Sequence, residues 1–194
     1  DERVDAVREA QEGQHEDQHR AREHHPAVAG LHHARLASDM EGGEERGVDV
    51  HKQTPGRKRH LVVDVLGLVL LVVVHSASIQ DGAGGLLTLQ KLFDHFKHNL
   101  HNRWCRLKLI WADGGYPSII DAVRQRFGWT LQIVKRSDEV KGFQVLPHRW
   151  VVERTFGWLG RYRRLARDYE HTTLSSESMV YIASTRRMLK LLAT

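Results

Sequence analysis

The sequence has little of what disulfide-stapled, cysteine-liganded or membrane-spanning proteins need. Only one of its 194 residues, Cys105, is a cysteine. An internal disulfide and a cysteine-rich zinc module are therefore excluded, and a reducing cytoplasm is the expected compartment. The longest apolar run, residues 61–74, is interrupted by Asp64 and Gly67 and is too short to cross a bilayer. We expect no membrane span and no signal peptide.

Aromatic residues are absent from the first 50 positions, which also lack isoleucine. This part has 13 acidic against 6 basic side chains, whereas residues 51–194 have 23 basic against 11 acidic. The first part has too few apolar side chains for a core. We expect residues 1–41 to be a disordered or frayed helical, His-rich segment and residues 42–194 to form the folded domain. A basic domain is compatible with nucleic acid as a partner, although basic proteins without that function also occur.

The second part of the chain predicts alternating strands and helices. Asp64 and Gly67 stand where a type I turn between two strands favours them. Residues 86–100 carry Leu and Phe at spacings of 3 and 4, as an amphipathic helix does. One side of the last helix is predicted to carry Met179, Ile182, Ala183, Arg186 and Leu189. Further strands are predicted at residues 107–111 and 129–135, and further helices at 118–127, 149–159 and 175–192. This order predicts a mixed α/β fold.

His15, Glu16 and His19 match the H-E-x-x-H pattern, in which two histidines bind zinc and the glutamate activates water. The surrounding stretch is polar on every side, and six histidines are scattered over residues 15–33. A catalytic zinc site needs partners that hold the imidazoles still. We therefore favour a solvated His-rich tract over a metalloprotease.

Asp113 follows a short apolar strand and precedes two glycines. Side chains at the ends of strands in an open α/β sheet are placed where ligands bind. The alternative is an aspartate that forms the turn before the next helix, which is the commoner role for this residue type.

Glu153 lies on a predicted helix, four residues after Arg149. Taken alone, this pair could be an ion pair on a helix surface. Together with Asp113, it gives two carboxylates that could bind Mg²⁺ (or Mn²⁺) for phosphoryl transfer. The basic residues around it are candidates for contacts with DNA phosphates, namely Arg149, Arg154, Arg161, Arg163 and Arg164.

Several successive stretches carry a family resemblance: RKRHLVVD at 57–64, IWADGGY at 110–116, LPHRWVVERTFGWL at 146–159 and RRL at 163–165. Together they closely resemble the C-terminal catalytic half of bacterial insertion-sequence transposases of the DDE type. The resemblance runs from about residue 42 to residue 192. It implies a ribonuclease H-like mixed sheet flanked by helices, with double-stranded DNA as substrate.

The same resemblance assigns Asp113 and Glu153 as the second and third acidic residues of a Mg²⁺-binding triad. Arg149 matches the arginine four residues before the glutamate in the family's Y-R-E-K signature. Leu146 occupies the tyrosine place and Gly160 the lysine place, with Arg161 next to it.

The first acidic residue of the triad has no counterpart. In the family it lies on the first strand in a D-S-x-S-V context, but residues 28–40 read VAGLHHARLASDM. Asp39 lacks the spacing and the strand, and Asp64 is better explained by the hairpin turn. We expect a partial domain whose first strand is missing or replaced, preceded by an unrelated or out-of-frame segment at residues 1–41.

The function expected from the sequence is that of an insertion-sequence DNA transposase, cutting and joining strands by Mg²⁺-dependent phosphoryl transfer. This chain is expected to be a truncated or frameshifted version that is weakly active or inactive, with a homodimer as the candidate assembly. The alternatives are a non-catalytic DNA-binding remnant and a product without a stable fold.

Overall fold

The computed structural model describes residues 27–37, 43, 45–49, 53–98, 107–134 and 149–193. The described part contains a six-stranded mixed sheet. Its strands are β1 (Ala27–Ala37), β2 (Gly47–Asp49), β3 (Thr54–Asp64), β4 (Val69–Ser76), β5 (Leu107–Ala112) and β6 (Thr130–Ile133). The helices are α1 (Asp81–His98), α2 (Ile120–Phe127), α3 (Arg149–Gly160), α4 (Arg163–Ala166) and α5 (Thr173–Leu192), with a 3₁₀ turn at Pro117–Ile119.

The strands are ordered β2-β3-β1-β5-β6, and β4 pairs with β3. The strands β1 to β4 pair antiparallel, whereas β5 is parallel to both β1 and β6. Helices cover the sheet, so the predicted mixed α/β class is confirmed and the architecture is that of a ribonuclease H-like domain. No helix in the described ranges is long and apolar enough to span a membrane.

The place of the first strand, which the sequence predicted to be missing or replaced, is taken by β1. β1 pairs with β3 from Ala29↔Asp64 to Ala37↔Gly56 on one edge and with β5 on the other. Order therefore begins well before residue 42, and residues 27–37 are neither disordered nor helical. The side chains of this segment are poor strand formers, but backbone pairing on both edges outweighs intrinsic preference because strand propensity depends on context.

The predicted hairpin is confirmed, with β3 and β4 joined at the turn that begins at Asp64. The Asp64 carboxylate accepts hydrogen bonds from the backbone N–H groups of Leu66 (2.9 Å) and Leu68 (2.8 Å). Burial nevertheless raises the pKa of this carboxyl, against the effect of those bonds. Asp64 is thus a turn residue, as the sequence indicated.

Two hydrophobic cores lie on opposite faces of the sheet. The first joins β1, β3 and β5 to α1 and α2, through residues such as Leu31, Leu89, Ile110, Val123 and Phe127. The second joins β3 and β4 to α3, α4 and α5, through Leu61, Val72, Leu159, Leu165 and Val180.

Only part of the helix side predicted from the sequence faces the core: Met179 and Ala183 contact it. Ile182 and Leu189 are each 61% exposed, whereas Val180 and Ala183 are buried against the sheet. The small residues Ala183 and Ser184 allow α5 to lie close to β4, so the helix is rotated relative to the side that its largest apolar residues suggest.

The basic run at residues 57–60 is buried in the middle of β3. Arg57, Lys58, Arg59 and His60 are 1%, 3%, 2% and 0% exposed, respectively. Alternation along the strand sends Arg57 toward Asp168 at the helical α3–α5 layer and Lys58 toward Asp81 of α1. Arg57 and Lys58 therefore each form an ion pair that links the sheet to a different helical layer.

Arg57 makes the most extensive of these contacts. Its Nη1 donates to Asp168 Oδ2 (3.1 Å) and to the Glu170 carbonyl (2.9 Å), and its Nη2 donates to the His171 carbonyl (2.6 Å). Asp168 is itself 1% exposed. Burial lowers the pKa of the neighbouring Arg59 to about 10, partly opposed by the charge of Asp168. The segment that leads from α4 into α5 is thus held by one guanidinium.

We expect Arg57→Met to lower the free energy of unfolding by about 3–5 kcal/mol, because it removes the buried guanidinium that pairs with the Asp168 carboxylate and donates to the Glu170 and His171 carbonyls. Urea unfolding followed by circular dichroism measures the change. Arg164→Met is the matched control, since its pair with Glu170 (2.6 Å) has a guanidinium that is 61% exposed. Equal effects of the two variants would contradict the assigned role of Arg57.

Candidate functional site

Asp113 lies directly after β5, at the carboxyl end of that strand. Its Oδ1 accepts a hydrogen bond from the backbone N–H of Gly115 (2.9 Å). The side chain is half-buried. Both interpretations drawn from the sequence therefore describe part of the geometry: Asp113 stands at a strand end and also shapes the turn that follows.

Glu153 lies on α3, and its side chain is exposed. The helix is fixed by two side chains that reach the β3–β4 turn: Thr155 Oγ1 donates to the Gly67 carbonyl (3.0 Å), and Arg154 Nη2 donates to the Leu66 carbonyl (3.0 Å). Because α3 also packs against β1, the strand lies between the helix that carries Glu153 and the strand that ends at Asp113.

The register of β1 identifies the residue beside Asp113. Leu31 of β1 pairs with Ala112 of β5, and the residues that follow are His32 and Asp113. The sequence of β1, AVAGLHHARLA, contains no Asp or Glu. Continuing this register by one residue beyond the last pair brings the backbone of His32 level with that of Asp113. Sequence reasoning missed this residue because it did not assign the strand.

The donor set for a divalent cation is small. The described residues contain no group of three or more His, Cys, Asp or Glu side chains that could hold a metal ion. Asp113 already accepts a backbone hydrogen bond, and Mg²⁺ prefers several oxygen ligands in near-octahedral geometry. Asp113 and Glu153 alone do not fit a complete magnesium site. The His15–His19 pattern lies outside the described residues.

The predicted DNA-contacting arginines are placed on or beside α3. Arg161 and Arg163 are exposed, while Arg164 is paired with Glu170. The guanidinium of Arg154 lies 4.5 Å from the centroid of the Trp158 ring. Arg149 is the first residue of α3, and its side chain lies outside the described part, as does Leu146. Gly160, at the place of the family's lysine, is the last residue of α3.

A buried polar cluster lies on the other face of the sheet, between β3, β4 and α1. The rings of His60 and His75 stack with centroids 4.8 Å apart, and the Tyr116 hydroxyl lies 3.0 Å from His60 Nδ1. A Cβ at Gly84 would lie 2.6 Å from His60 Nε2, so glycine allows α1 to approach the rings. Burial raises the pKa of Tyr116 well above its ordinary value, and the charge of Asp113 acts in the same direction.

Lys58 connects this cluster to two acidic residues. Its Nζ lies 3.0 Å from Asp49 Oδ2 and 2.9 Å from Asp81 Oδ1, and it donates to the Ile79 carbonyl (2.8 Å). Burial lowers the pKa of His75 below its ordinary value, and the charge of Lys58 adds to that effect. His75 is therefore held neutral in the folded protein.

Comparison with known proteins identifies the family to which the chain belongs. The model of the transposase DDE domain matches residues 18–183 of this chain. The chain belongs to the DDE transposase family. A Burkholderia cepacia protein named as a transposase for insertion sequence element IS402 is 35% identical over 118 residues, which cover 60% of this chain and 54% of that protein. The chain thus spans about half the length of this curated relative.

The family match corrects one boundary. It begins at residue 18, so the expectation that residues 1–41 are unrelated to the family is wrong for residues 18–41. The motifs quoted from residue 57 onward are specific enough to identify the family. The segment before them lacks the D-S-x-S-V motif, which is why sequence reasoning placed the start of the family region too late.

We expect the free energy of unfolding to fall as pH drops below about 6.5. His75 takes up a proton in the unfolded chain near that pH, whereas its lowered pKa keeps the folded form neutral. Urea titrations between pH 5 and pH 8 measure this slope. His75→Asn should flatten it, while the same substitution at exposed His95 should not. An unchanged slope in His75→Asn would show that other groups cause the dependence.

Proposed function

We propose that this chain is a DNA-binding member of an insertion-sequence transposase family whose strand-cleaving activity is weak or absent. The observation that carries the proposal is the central strand β1, which pairs with β3 and β5 in the middle of the sheet but contains no Asp or Glu. The fold is retained, and one of three expected acidic residues is not. In this proposal the transposase domain comprises residues 42–194, and residues 27–37 supply its central strand β1.

Asp113 and Glu153 are proposed as the remaining acidic residues of the site. Each carboxylate supplies oxygen ligands of the kind that Mg²⁺ (or Mn²⁺) takes, and a bound divalent ion supplies charge stabilisation during phosphoryl transfer. Because β1 contains no Asp or Glu, one oxygen ligand of the expected set of three is missing. We therefore expect weak binding of magnesium.

Double-stranded DNA is the proposed partner. Residues 51–194 have an excess of 12 positive charges, and arginines follow the exposed surface of α3 and α4, where Arg161 and Arg163 are fully accessible. Arginine guanidinium groups match phosphate geometry, and such contacts dominate sequence-independent affinity. Element ends and target DNA are the substrates proposed from the family, with a homodimer as the proposed assembly.

We expect the unmodified chain to leave supercoiled plasmid DNA intact in the presence of Mg²⁺ or Mn²⁺, and His32→Asp to introduce nicking. The substitution restores an acidic residue to β1, so that the chain again carries three acidic residues for the proposed site. Gel electrophoresis measures nicking, and isothermal titration with Mn²⁺ measures the gain in metal affinity independently of cleavage.

His32→Asn is the matched control, because it has the size of aspartate without the charge. Adding Glu153→Gln to His32→Asp should abolish any nicking and leave DNA binding in place. If the unmodified chain nicks DNA as efficiently as His32→Asp, the incomplete-site proposal is wrong. If His32→Asp gains neither Mn²⁺ affinity nor nicking while DNA binding persists, the alternative of a non-catalytic DNA-binding remnant is favoured.

A further inference from the structure

A cavity of about 400 Å³ lies between α3 and α5, beside the β3–β4 turn. Its lining includes Arg161 from the end of α3 and three cations from α5, namely Arg186, Arg187 and Lys190. Among the described residues that line it there is no Asp or Glu. The cavity therefore concentrates positive charge in a concave space.

Two aromatic rings in the lining hold the guanidinium groups in place. The Arg187 guanidinium lies 2.9 Å from the centroid of the Trp158 ring, and the Arg186 guanidinium lies 5.8 Å from that of Tyr162. Arginine side chains stack favourably on aromatic faces. The two cations are thus ordered before any ligand arrives, which reduces the entropy lost on binding.

The cations also repel one another, and one of their donors is unused. Burial lowers the pKa of Arg187, and the charge of Arg154 adds to that effect. The Nε of Arg187 is buried and makes no hydrogen bond within the described part of the chain. An anion in the cavity would relieve the repulsion and could accept from this side chain.

We propose that this cavity binds a backbone phosphate of duplex DNA. The inference rests on the DNA-binding function proposed above and adds the position of one contact. A phosphate accepts from forked guanidinium groups, and a phosphodiester carries the single negative charge that several clustered arginines attract. The cavity contains both the donors and the excess charge.

The phosphate held there is remote from the acidic residues. Thr155, Trp158 and Leu159 face the cavity, whereas Glu153 lies two residues before Thr155, roughly 160° around the helix. A phosphate bound at the cavity is therefore a positioning contact, made on the side of α3 away from Glu153.

The test measures affinity for duplex DNA as a function of salt concentration, for the unmodified chain and for Arg186→Gln and Arg187→Gln. We expect each variant to lose roughly 3- to 10-fold in affinity and the slope of log affinity against log salt to decrease by about 1. Arg126→Gln on α2 is the matched control: Arg126 is also exposed and basic, but it belongs to the opposite helical layer, so its slope should not change.

Arg186 is exposed, so its variant should fold normally even if loss of the Arg187 contact with Trp158 destabilises the chain; thermal melts of both variants establish this. Unchanged affinity and slope in folded Arg186→Gln would overturn the cavity proposal while leaving DNA binding intact. No DNA binding by the unmodified chain would instead overturn the proposed function.

A second arm separates a DNA phosphate from a free anion. Inorganic phosphate at millimolar concentration is added to the unmodified chain and to Arg186→Gln, and the melting temperature is recorded. DNA affinity is also measured with and without phosphate. If phosphate weakens DNA binding by the unmodified chain but not by Arg186→Gln, the proposal is supported. Stabilisation by phosphate that depends on Arg186, together with unchanged DNA affinity in the variant, would assign the cavity to a free anion and contradict it.

Discussion

The buried ion pair between Arg57 and Asp168 is the contact on which the arrangement of the helical layer depends. Arg57 belongs to β3, while Asp168 and the Glu170 and His171 carbonyls belong to the link into α5. This guanidinium therefore fixes where α5 begins. Because α5 lines the basic cavity together with α3, the Arg57 contacts also determine one wall of that cavity, while Arg154 and Thr155 hold α3 at the β3–β4 turn.

A buried cation of this kind constrains geometry more than it adds stability. Removing two charges from water costs several kcal/mol per ion, and the loss is offset only when every donor is satisfied. Arg57 and Lys58 meet this condition by donating to backbone carbonyls as well as to carboxylates. Arg57 and Lys58 are neighbours in β3, yet they hold helices on opposite faces of the sheet. The basic stretch at residues 57–60, which is one of the family motifs, therefore has a structural role.

Local patterns predicted the elements whose signals lie within a few residues of one another. The turn at Asp64 and the short strand before Asp113 are of this kind, and their places in the structure agree. β1 could not be predicted in this way, because its His-rich side chains do not alternate in hydrophobicity and only pairing with β3 and β5 makes it a strand.

In the candidate site, too, some residues could be predicted from local sequence and others only from the tertiary structure. Asp113 and Glu153 could be proposed from residue type and motif, and the structure places them on the elements predicted for them. The strand position level with Asp113 could not be found without the register of β1 and β5, which reaches His32 when it is continued by one residue. The basic cavity was also missed, since Arg186 and Arg187 contribute to it only because α5 is rotated away from the side that its large apolar residues indicate.

β1 completes the sheet although it contains no Asp or Glu. Amide hydrogen exchange tests this most directly, since a strand paired on both edges exchanges only through large-scale opening. We expect the amides of residues 29–36 to exchange as slowly as those of residues 58–63 in β3. Exchange of residues 29–36 at the rate of an unfolded chain, with β3 still protected, would contradict it.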